Sequence, residues 1–484
     1  MAELHPPLHR TAHPHEPNGD DLEKLKKWQE ARLERKLRGE YESAVFHLAE
    51  LVNQNIETPL SVTSVRVDGA TNTRKSFLGW LIQPWLARHI DDQASKSNNL
   101  QGVLHTARGI SHLLQETDLF HSVDAKIQRS RGHLAGEGDV DIVVTTREKG
   151  RFYLKTATEF GNNEGSVSVT GRVRNIFGGA EFLEGHYSAG TKTRRSFHGL
   201  LSLPLSPSLR TTGQLSLFSQ ERDLSSFASC SEILHGLKVA INSNCGVHGV
   251  HEIAYQAVLR HLNNLAPGAS VSIREHAGQT IKSSISHSWT KDTRDDKLSA
   301  SRGYYCKVFQ ELAGLSGDVS FYKAEFESQL SQRLVPGMSL SLAARCSLLK
   351  ALTGPSHFSD RFQLGGPLSL RSFRANSMGP RDGVDSLGGE FYWSTGVSLV
   401  SDIPRKPHWP IKSHIFINAG RLDAMDGVKE LSESLRNPSI SAGVGLLYRF
   451  DPVRVEVNFG VPLVASKSDG VRKGFQVGIG MEFL

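Results

Sequence analysis

The sequence predicts a membrane β-barrel of about sixteen antiparallel strands, preceded by one small α+β domain and an N-terminal helix. Three observations lead there. From residue 151 to 484, apolar and polar residues alternate in segments of about ten residues bounded by Gly, Pro, Asn, Asp or Ser, as strands with one wet and one lipid-facing side require. Before them, residues 58–150 switch between strand and helix periods in the order β-α-α-β-β, enough chain for a modest core of its own. One stretch inside the alternating region does not alternate. Leu364 to Gly389, LGGPLSLRSFRANSMGPRDGVDSLGG, is glycine-rich, charged and too long for an idle connection.

In chain order, residues 1–19 form a polar tail with histidines at 5, 9, 13 and 15, which a solvated segment explains better than a metal site. The tail has neither a secretory apolar region nor an Arg/Ser-rich, acid-poor presequence, so no cleavable address is expected. Over 20–57, Leu22, Leu25, Leu33, Leu37, Tyr41, Val45, Leu48 and Val52 recur every three or four positions, which predicts one or two amphipathic helices. These either meet a partner or rest solvated on their own chain. In 58–150, a strand at 61–68 ends on Asp68-Gly69. Helices follow at 74–89, with Phe77, Leu78, Leu81, Ile82, Trp85 and Leu86, and at 100–119, with Val103, Leu104, Ala107, Ile110, Leu113 and Leu114; strands follow at 122–128 and 140–146. The alternating segments lie near 151–159, 165–175, 180–191, 194–203, 209–220, 231–242, 247–261, 279–291, 303–313, 317–330, 338–350, 388–400, 412–420, 439–450, 452–462 and 473–484, with a long inward-folding loop at 351–387. In the clearest of them Val453, Val455, Val457, Phe459 and Val461 oppose Arg454, Glu456 and Asn458. Charges inside so many strands suit a wet lumen better than the face of a soluble sandwich.

Composition removes several classes of function. The 56 basic and 50 acidic residues are spread along the chain, so a net charge of +6 and a pI near 9.0 give no basic patch for nucleic acid. A mean hydropathy of -0.31 and the lack of a 20-residue apolar run argue against a spanning helix but not against a barrel, whose alternation averages out. Cys230, Cys245, Cys306 and Cys346 are far apart, with no CxxC pair, and read as ordinary thiols. No HExxH, GxSxG or P-loop organises the histidines and serines, so neither an enzyme nor a cofactor or metal is expected.

The final strand places Phe475, Val477, Ile479, Met481 and Phe483 on one face and Gln476, Gly478, Gly480 and Glu482 on the other. Gln476, Gly478, Met481 and Phe483 resemble the polar-x-Gly-x-x-hydrophobic-x-hydrophobic signal that mitochondrial β-barrel proteins carry in their last strand. Leu370-Arg371-Ser372-Phe373, between Gly365-Gly366 and the GPRDG and DSLGG runs, is similar to the conserved loop of the BamA-type outer-membrane insertase superfamily. One POTRA-like domain before a sixteen-strand barrel resembles the mitochondrial branch of that superfamily, the core subunits of the sorting and assembly machinery, over about residues 45–484. Two positions depart from the family pattern. Ser372 stands where the loop usually has glycine, a small change at negative φ and a larger one at positive φ. The strand that carries acidic partners for the loop arginine in bacterial relatives here reads Phe416-Ile417-Asn418-Ala419-Gly420, leaving Glu390 and Asp423 as candidates.

The resemblance implies an insertase that folds precursor β-barrel proteins into the mitochondrial outer membrane, with its N-terminal domain in the intermembrane space and further subunits of the complex on the cytosolic side. Membrane lipid surrounds the barrel in that picture. A lateral gate between the first and last strands is expected, with Phe152, Tyr153, Leu154, Lys155 and Thr156 of the first strand offered to a precursor's C-terminal signal strand by β-strand pairing. Arg371, with five donors in a rigid fork, would pin the loop to the wall, and Phe373 would sit against apolar lumenal residues. Two other readings stay open: a passive or polypeptide-conducting outer-membrane channel, and a structural barrel that holds partners through its N-terminal segments.

Overall fold

The computed structural model describes residues 19–37, 50–91, 99–130, 136, 138–161, 164–403, 405–406, 409–425, 432, 434–450 and 453–480. The predicted tail up to residue 18 lies outside these, as do Tyr41, Val45 and Leu48 of the N-terminal segment and Met481 and Phe483 of the final strand. The chain divides into two compact units. One comprises Met1–Ala70, Ile82–Gln115 and Ser122–Arg147; the other comprises Thr71–Leu81, Glu116–His121 and Glu148–Leu484. Helix α1, Gly19–Leu37, leaves Leu33 of its apolar stripe exposed.

The small α+β region is a three-stranded sheet of β1 (Ser61–Asp68), β2 (Phe120–Arg129) and β3 (Asp139–Glu148), with helices α2 (Lys75–Asp91) and α3 (Leu100–Glu116) between β1 and β2. The strand order is β1-β3-β2, and β1 runs parallel to β3, with Val65 opposite Ile142. A parallel pair needs a long crossover, which the helices form part of. Helix α3 buries Val103, Thr106, Ala107, Ile110, Leu113 and Leu114 at three- and four-residue spacing. Leu104, grouped with them from the sequence, lies off that stripe and is 38% exposed. The central strand β3 buries Val140, Ile142, Val143 and Val144.

The larger unit is a β-barrel protein's sixteen-stranded antiparallel sheet. Its strands are β4 (Phe152–Gly161), β5 (Glu164–Arg174), β6 (Phe182–Gly190), β7 (Thr193–Pro204), β8 (Thr211–Asp223), β9 (Ser231–Asn244), β10 (Val250–Asn263), β11 (Gly278–Asp292), β12 (Gly303–Gly317), β13 (Ser320–Val335) and β14 (Met338–Thr353). After a long loop that holds the two-residue strands β15 (Arg381–Asp382) and β16 (Asp385–Ser386), the sheet resumes. It continues with β17 (Phe391–Asp402), β18 (Ile411–Asp423), β19 (Ser439–Phe450), β20 (Val453–Val464) and β21 (Gly474–Gly480). Each strand pairs with its neighbour in sequence and β14 pairs with β17, so the ladder runs unbroken between its two ends, β4 and β21. The predicted segments match these strands with ends displaced by a few residues, most at β12 to β14, which extend to 15 or 16 residues.

Alternation sorts the two faces. On β20, Val457, Phe459 and Val461 are exposed, whereas Glu456 and Asn458 are buried. Ile253, Ile285, Val397, Ile417 and Leu446 continue the exposed apolar face on other strands, an arrangement that matches lipid and not water. Charged strand residues pair with each other instead, as in Lys282–Glu311 at 2.8 Å and Lys238–Glu252 at 2.5 Å. Among the described residues no helix is long and apolar enough to cross a bilayer; strands that satisfy one another's backbone groups do so in this class of fold.

Candidate functional site

The long loop between β14 and β17 is fastened at two places. Its outer half is held by other loops and by β10. Arg260 of β10 reaches Asp360 at 2.7 Å, both side chains buried. Asp385 accepts hydrogen bonds from the Ser229 N–H (2.8 Å), the Ser229 hydroxyl (2.6 Å) and the Ser270 N–H (2.8 Å), and Asp382 accepts one from the Ser272 hydroxyl at 2.8 Å. Phe358 and Leu387 pack among Ala228, Cys230, Leu262 and Ile273. Burial would raise the Asp385 carboxyl, but hydrogen bonds from Ser229 and Ser270 outweigh it and hold the group below its ordinary range. His357 stands edge-on to His276, ring centres 5.0 Å apart. Burial, reinforced by the Arg260 charge, pushes His357 down to about 4.

The inner half carries the motif. Leu370 and Phe373 are fully buried in a cluster with Phe321, Leu349, Leu364, Met378 and Leu422. Between them, Arg371 is 1% exposed and grips Glu456 of β20, with Nε to Oε2 at 3.0 Å and Nη2 to Oε2 and Oε1 at 2.9 and 3.2 Å. With the Asn418 amide oriented to satisfy both of its ends, Asn418 Oδ1 accepts from Arg371 Nη1 at 3.1 Å while its nitrogen donates to the Ile417 carbonyl. The Phe416 ring lies 5.0 Å from the guanidinium carbon, a cation–π contact. Glu456 also accepts from Asn458 Nδ2 at 2.9 Å and pairs with Arg454, whose Nη1 reaches the Leu298 carbonyl at 2.8 Å. His414 Nε2 meets Asn458 Oδ1 at 2.7 Å. A buried carboxylate between two guanidinium groups thus has its lone pairs satisfied, as a buried charge requires.

This corrects the expected partners of the arginine. Glu390 instead accepts from Ser356 and from the Met425 N–H at 3.1 Å, and Asp423 pairs with Arg421 of its own strand at 2.9 Å. Both sit where the loop joins the wall, with the Glu390 N–H bonded to the Asp423 carbonyl. The arginine descends to Asn418, five residues further along β18, roughly 17 Å at the rise of an extended strand. The acid it finds there belongs to the penultimate strand.

Ser372 has φ +69°, in the left-handed region where a side chain is strained. Its N–H donates to Gln476 Oε1 at 2.8 Å, and Gln476 Nε2 donates to the Phe373 carbonyl at 2.9 Å. The Ser372 carbonyl accepts from the Arg472 N–H, and the Arg374 N–H donates to the Gly470 carbonyl, at 2.9 and 2.8 Å. Opposite the serine stands Gly460, where a Cβ would come 2.2 Å from Ser372 Oγ. The room that a loop glycine would leave is found in the wall. Gly478 faces inward across from Glu456, while Phe152, Tyr153, Leu154, Lys155 and Thr156 of β4 are all exposed, Phe152 and Leu154 at 82% and 73%. The sequence sets Glu456 on the side of its strand opposite the valines, but nothing local ties it to a loop residue 85 positions away.

Fold and site together define a class: an outer-membrane-type β-barrel whose long loop is fixed to the last two strands, by a buried arginine–glutamate pair and by a glutamine. The chain matches the Omp85 superfamily domain over residues 175–483. It is 33% identical to a SAM50-like protein of Schizosaccharomyces pombe over 90% of this chain and 94% of that one. It is 31% identical to the human sorting and assembly machinery component 50 homolog over 80% and 85%. In fold it is similar to BamA from Haemophilus ducreyi lacking POTRA domains 1–3, with a TM-score of 0.72 at 13% identity, covering 87% of this chain and 84% of that one. The chain belongs to the Omp85 superfamily and, within it, to the family of sorting and assembly machinery component 50, a family of β-barrel insertases.

Proposed function

We propose that this protein folds precursor β-barrel proteins into the mitochondrial outer membrane, where it resides as a multi-pass barrel, through a lateral gate between β4 and β21. A precursor's C-terminal strand pairs with β4 by β-augmentation and displaces β21; later hairpins follow, driven by strand pairing and apolar burial. The N-terminal α+β domain works in the intermembrane space, and smaller subunits of the assembly complex cover the cytosolic side. The observation that carries this reading is where the loop is fastened. Its tip is bonded to β20, β21 and the hairpin between them, next to one end of the ladder, while at the other end β4 leaves both faces of residues 152–156 uncovered. A loop serving only as a plug would have no reason to hold those two strands. A single-cysteine precursor strand is expected to crosslink to cysteines along 152–156 and not to matching positions on β10 or β11; equal crosslinking around the sheet would sink the gate.

A further inference from the structure

The connection between β11 and β12 takes ten residues, 293–302, where β13 and β14, joined at the same end of the sheet, need two. Length beyond what a hairpin requires calls for a use. Asp295 folds the loop on itself, accepting from the Ser301 hydroxyl at 2.6 Å and from the N–H groups of Ser301 and Arg302 at 2.9 and 3.1 Å. Its near side is tied to β13, with Arg294 donating to Gln329 Oε1 at 2.7 Å and Arg333 to the Ser301 hydroxyl at 3.1 Å. Its tip reaches two strands far along the ladder. Asp296 pairs with Arg449 of β19, and the Leu298 carbonyl accepts from Arg454 Nη1 of β20 at 2.8 Å, although β13, β14, β17 and β18 stand between β12 and β19. Gln329 and Arg449 alternate with the exposed Leu330 and Tyr448, and Arg454 shares the face of the buried Glu456, so the loop spans the inward side of the sheet.

Arg454 is where this loop meets the site, because it also pairs with Glu456, whose fully buried carboxylate takes Arg371. We propose that Arg454 is a positioning residue for the Arg371–Glu456 pair and that residues 293–302 are the strap that holds it in place. Two effects follow from the geometry. Anchored at Leu298, the Arg454 guanidinium occupies Glu456 Oε1 and leaves Oε2 to the shorter bonds from Arg371, 3.0 Å from Nε and 2.9 Å from Nη2. The strap also stands between this carboxylate and the end of the sheet at which β4 begins, and an ion pair loses most of its strength once water reaches it. Drawing the strap out hydrates Glu456, loosens Arg371 and frees the inner half of the 354–390 loop, which enters from the opposite end. The outer half, held by Arg260–Asp360 and by Asp385, stays in place. The fastening of one loop is therefore set from the other end of the barrel, whether or not strands exchange at β4 and β21.

The test reads amide hydrogen exchange of full-length protein in liposomes at residues 366–379, the inner half of the long loop, and at 355–363, its outer half. The variants are Asp296→Arg, Arg449→Asp and the two together, which restores the ion pair with its charges exchanged. Neither residue is bonded to Arg371 or Glu456. Each single variant is expected to speed exchange at 366–379 by about fivefold or more, the ratio that a weakened opening barrier of one lost charge pair gives, with 355–363 unchanged. The double variant should return 366–379 to the parent rate. If a charge reversal prevents folding, Asp296→Asn, which keeps an acceptor for the Leu298 N–H and removes the charge, is read in the same way, with a change of about twofold expected. Because coupling is reciprocal, Arg371→Leu should speed exchange at 294–300 in turn. Exchange at 366–379 that stays at the parent rate in the single variants, rises equally at 355–363, or fails to recover in the double variant overturns the proposal, since a strap that only stabilises its own end gives each of those results.

Discussion

Glu456 lies between Arg371 and Arg454 where no water is needed to complete its bonds, so removing it leaves two guanidinium groups facing each other in a buried space. Glu456→Ala should therefore destabilise the folded barrel by about 3–5 kcal/mol. The expected readout is a lower urea midpoint, with residues 354–390 newly open to protease. A midpoint unchanged within error would mean that the pair contributes nothing. A second prediction concerns the serine. Gly460→Ala drives a methyl into Ser372 Oγ and should destabilise by about 1–3 kcal/mol, whereas Ser372→Gly should be neutral or stabilising by about 1 kcal/mol, since it relieves left-handed strain. In the double variant most of the Gly460→Ala loss should vanish, and a double-mutant cycle in urea measures that coupling. Arg371 and Phe373 were legible in the sequence because a motif is local. The identity of Glu456 was not, because it depends on how deep the loop descends, and the sign of φ at Ser372 is a backbone property that its neighbours do not encode.

The loop has an outer and an inner fastening, and the two respond to different conditions. His357 is held at about 4 against an ordinary value near 6.5, so the unfolded loop takes up a proton first as pH falls. Its contribution is complete above pH 6.5 and is lost on going from 6.5 towards 4, by up to about 3 kcal/mol. His276, shifted downward by burial and by Arg361, acts in the same direction. Asp385, whose carboxyl is depressed, keeps its contribution until pH falls below the ordinary carboxylate range. Limited proteolysis of the loop should thus accelerate between pH 7 and 4.5 in the parent protein and much less in His357→Gln, and parallel profiles would assign the effect elsewhere. Deleting 355–389 removes the apolar cluster around Phe373 and should raise single-channel conductance in a planar bilayer; an unchanged conductance would favour the open-channel alternative. The strands themselves were readable because alternation has a period of two and a wet interior reinforces it. Their ends were less so at β12 to β14, where pairing continues past the alternating core into residues such as Gly317 and Val335.

At the scale of the molecule, a strand ladder running from β4 to β21 carries at one end an uncovered first strand and at the other a last strand held by a loop tip. The change of period sets a small α+β region apart from the strand series in the sequence, and in the structure Thr71–Leu81 and Glu116–His121 group with the larger unit. Opening at the two ends of the ladder is the central claim, and a covalent lock tests it most directly. With Cys230, Cys245, Cys306 and Cys346 replaced by alanine, one cysteine is placed in β4 and one in β21, and a control pair at Ala343 and Gly396, which face each other in the β14–β17 ladder. Insertion of a radiolabelled precursor barrel into liposomes should stop when the β4–β21 pair is oxidised and return on reduction, while the β14–β17 pair leaves it unchanged. Insertion that proceeds at the same rate with β4 and β21 joined by a disulfide would contradict the account.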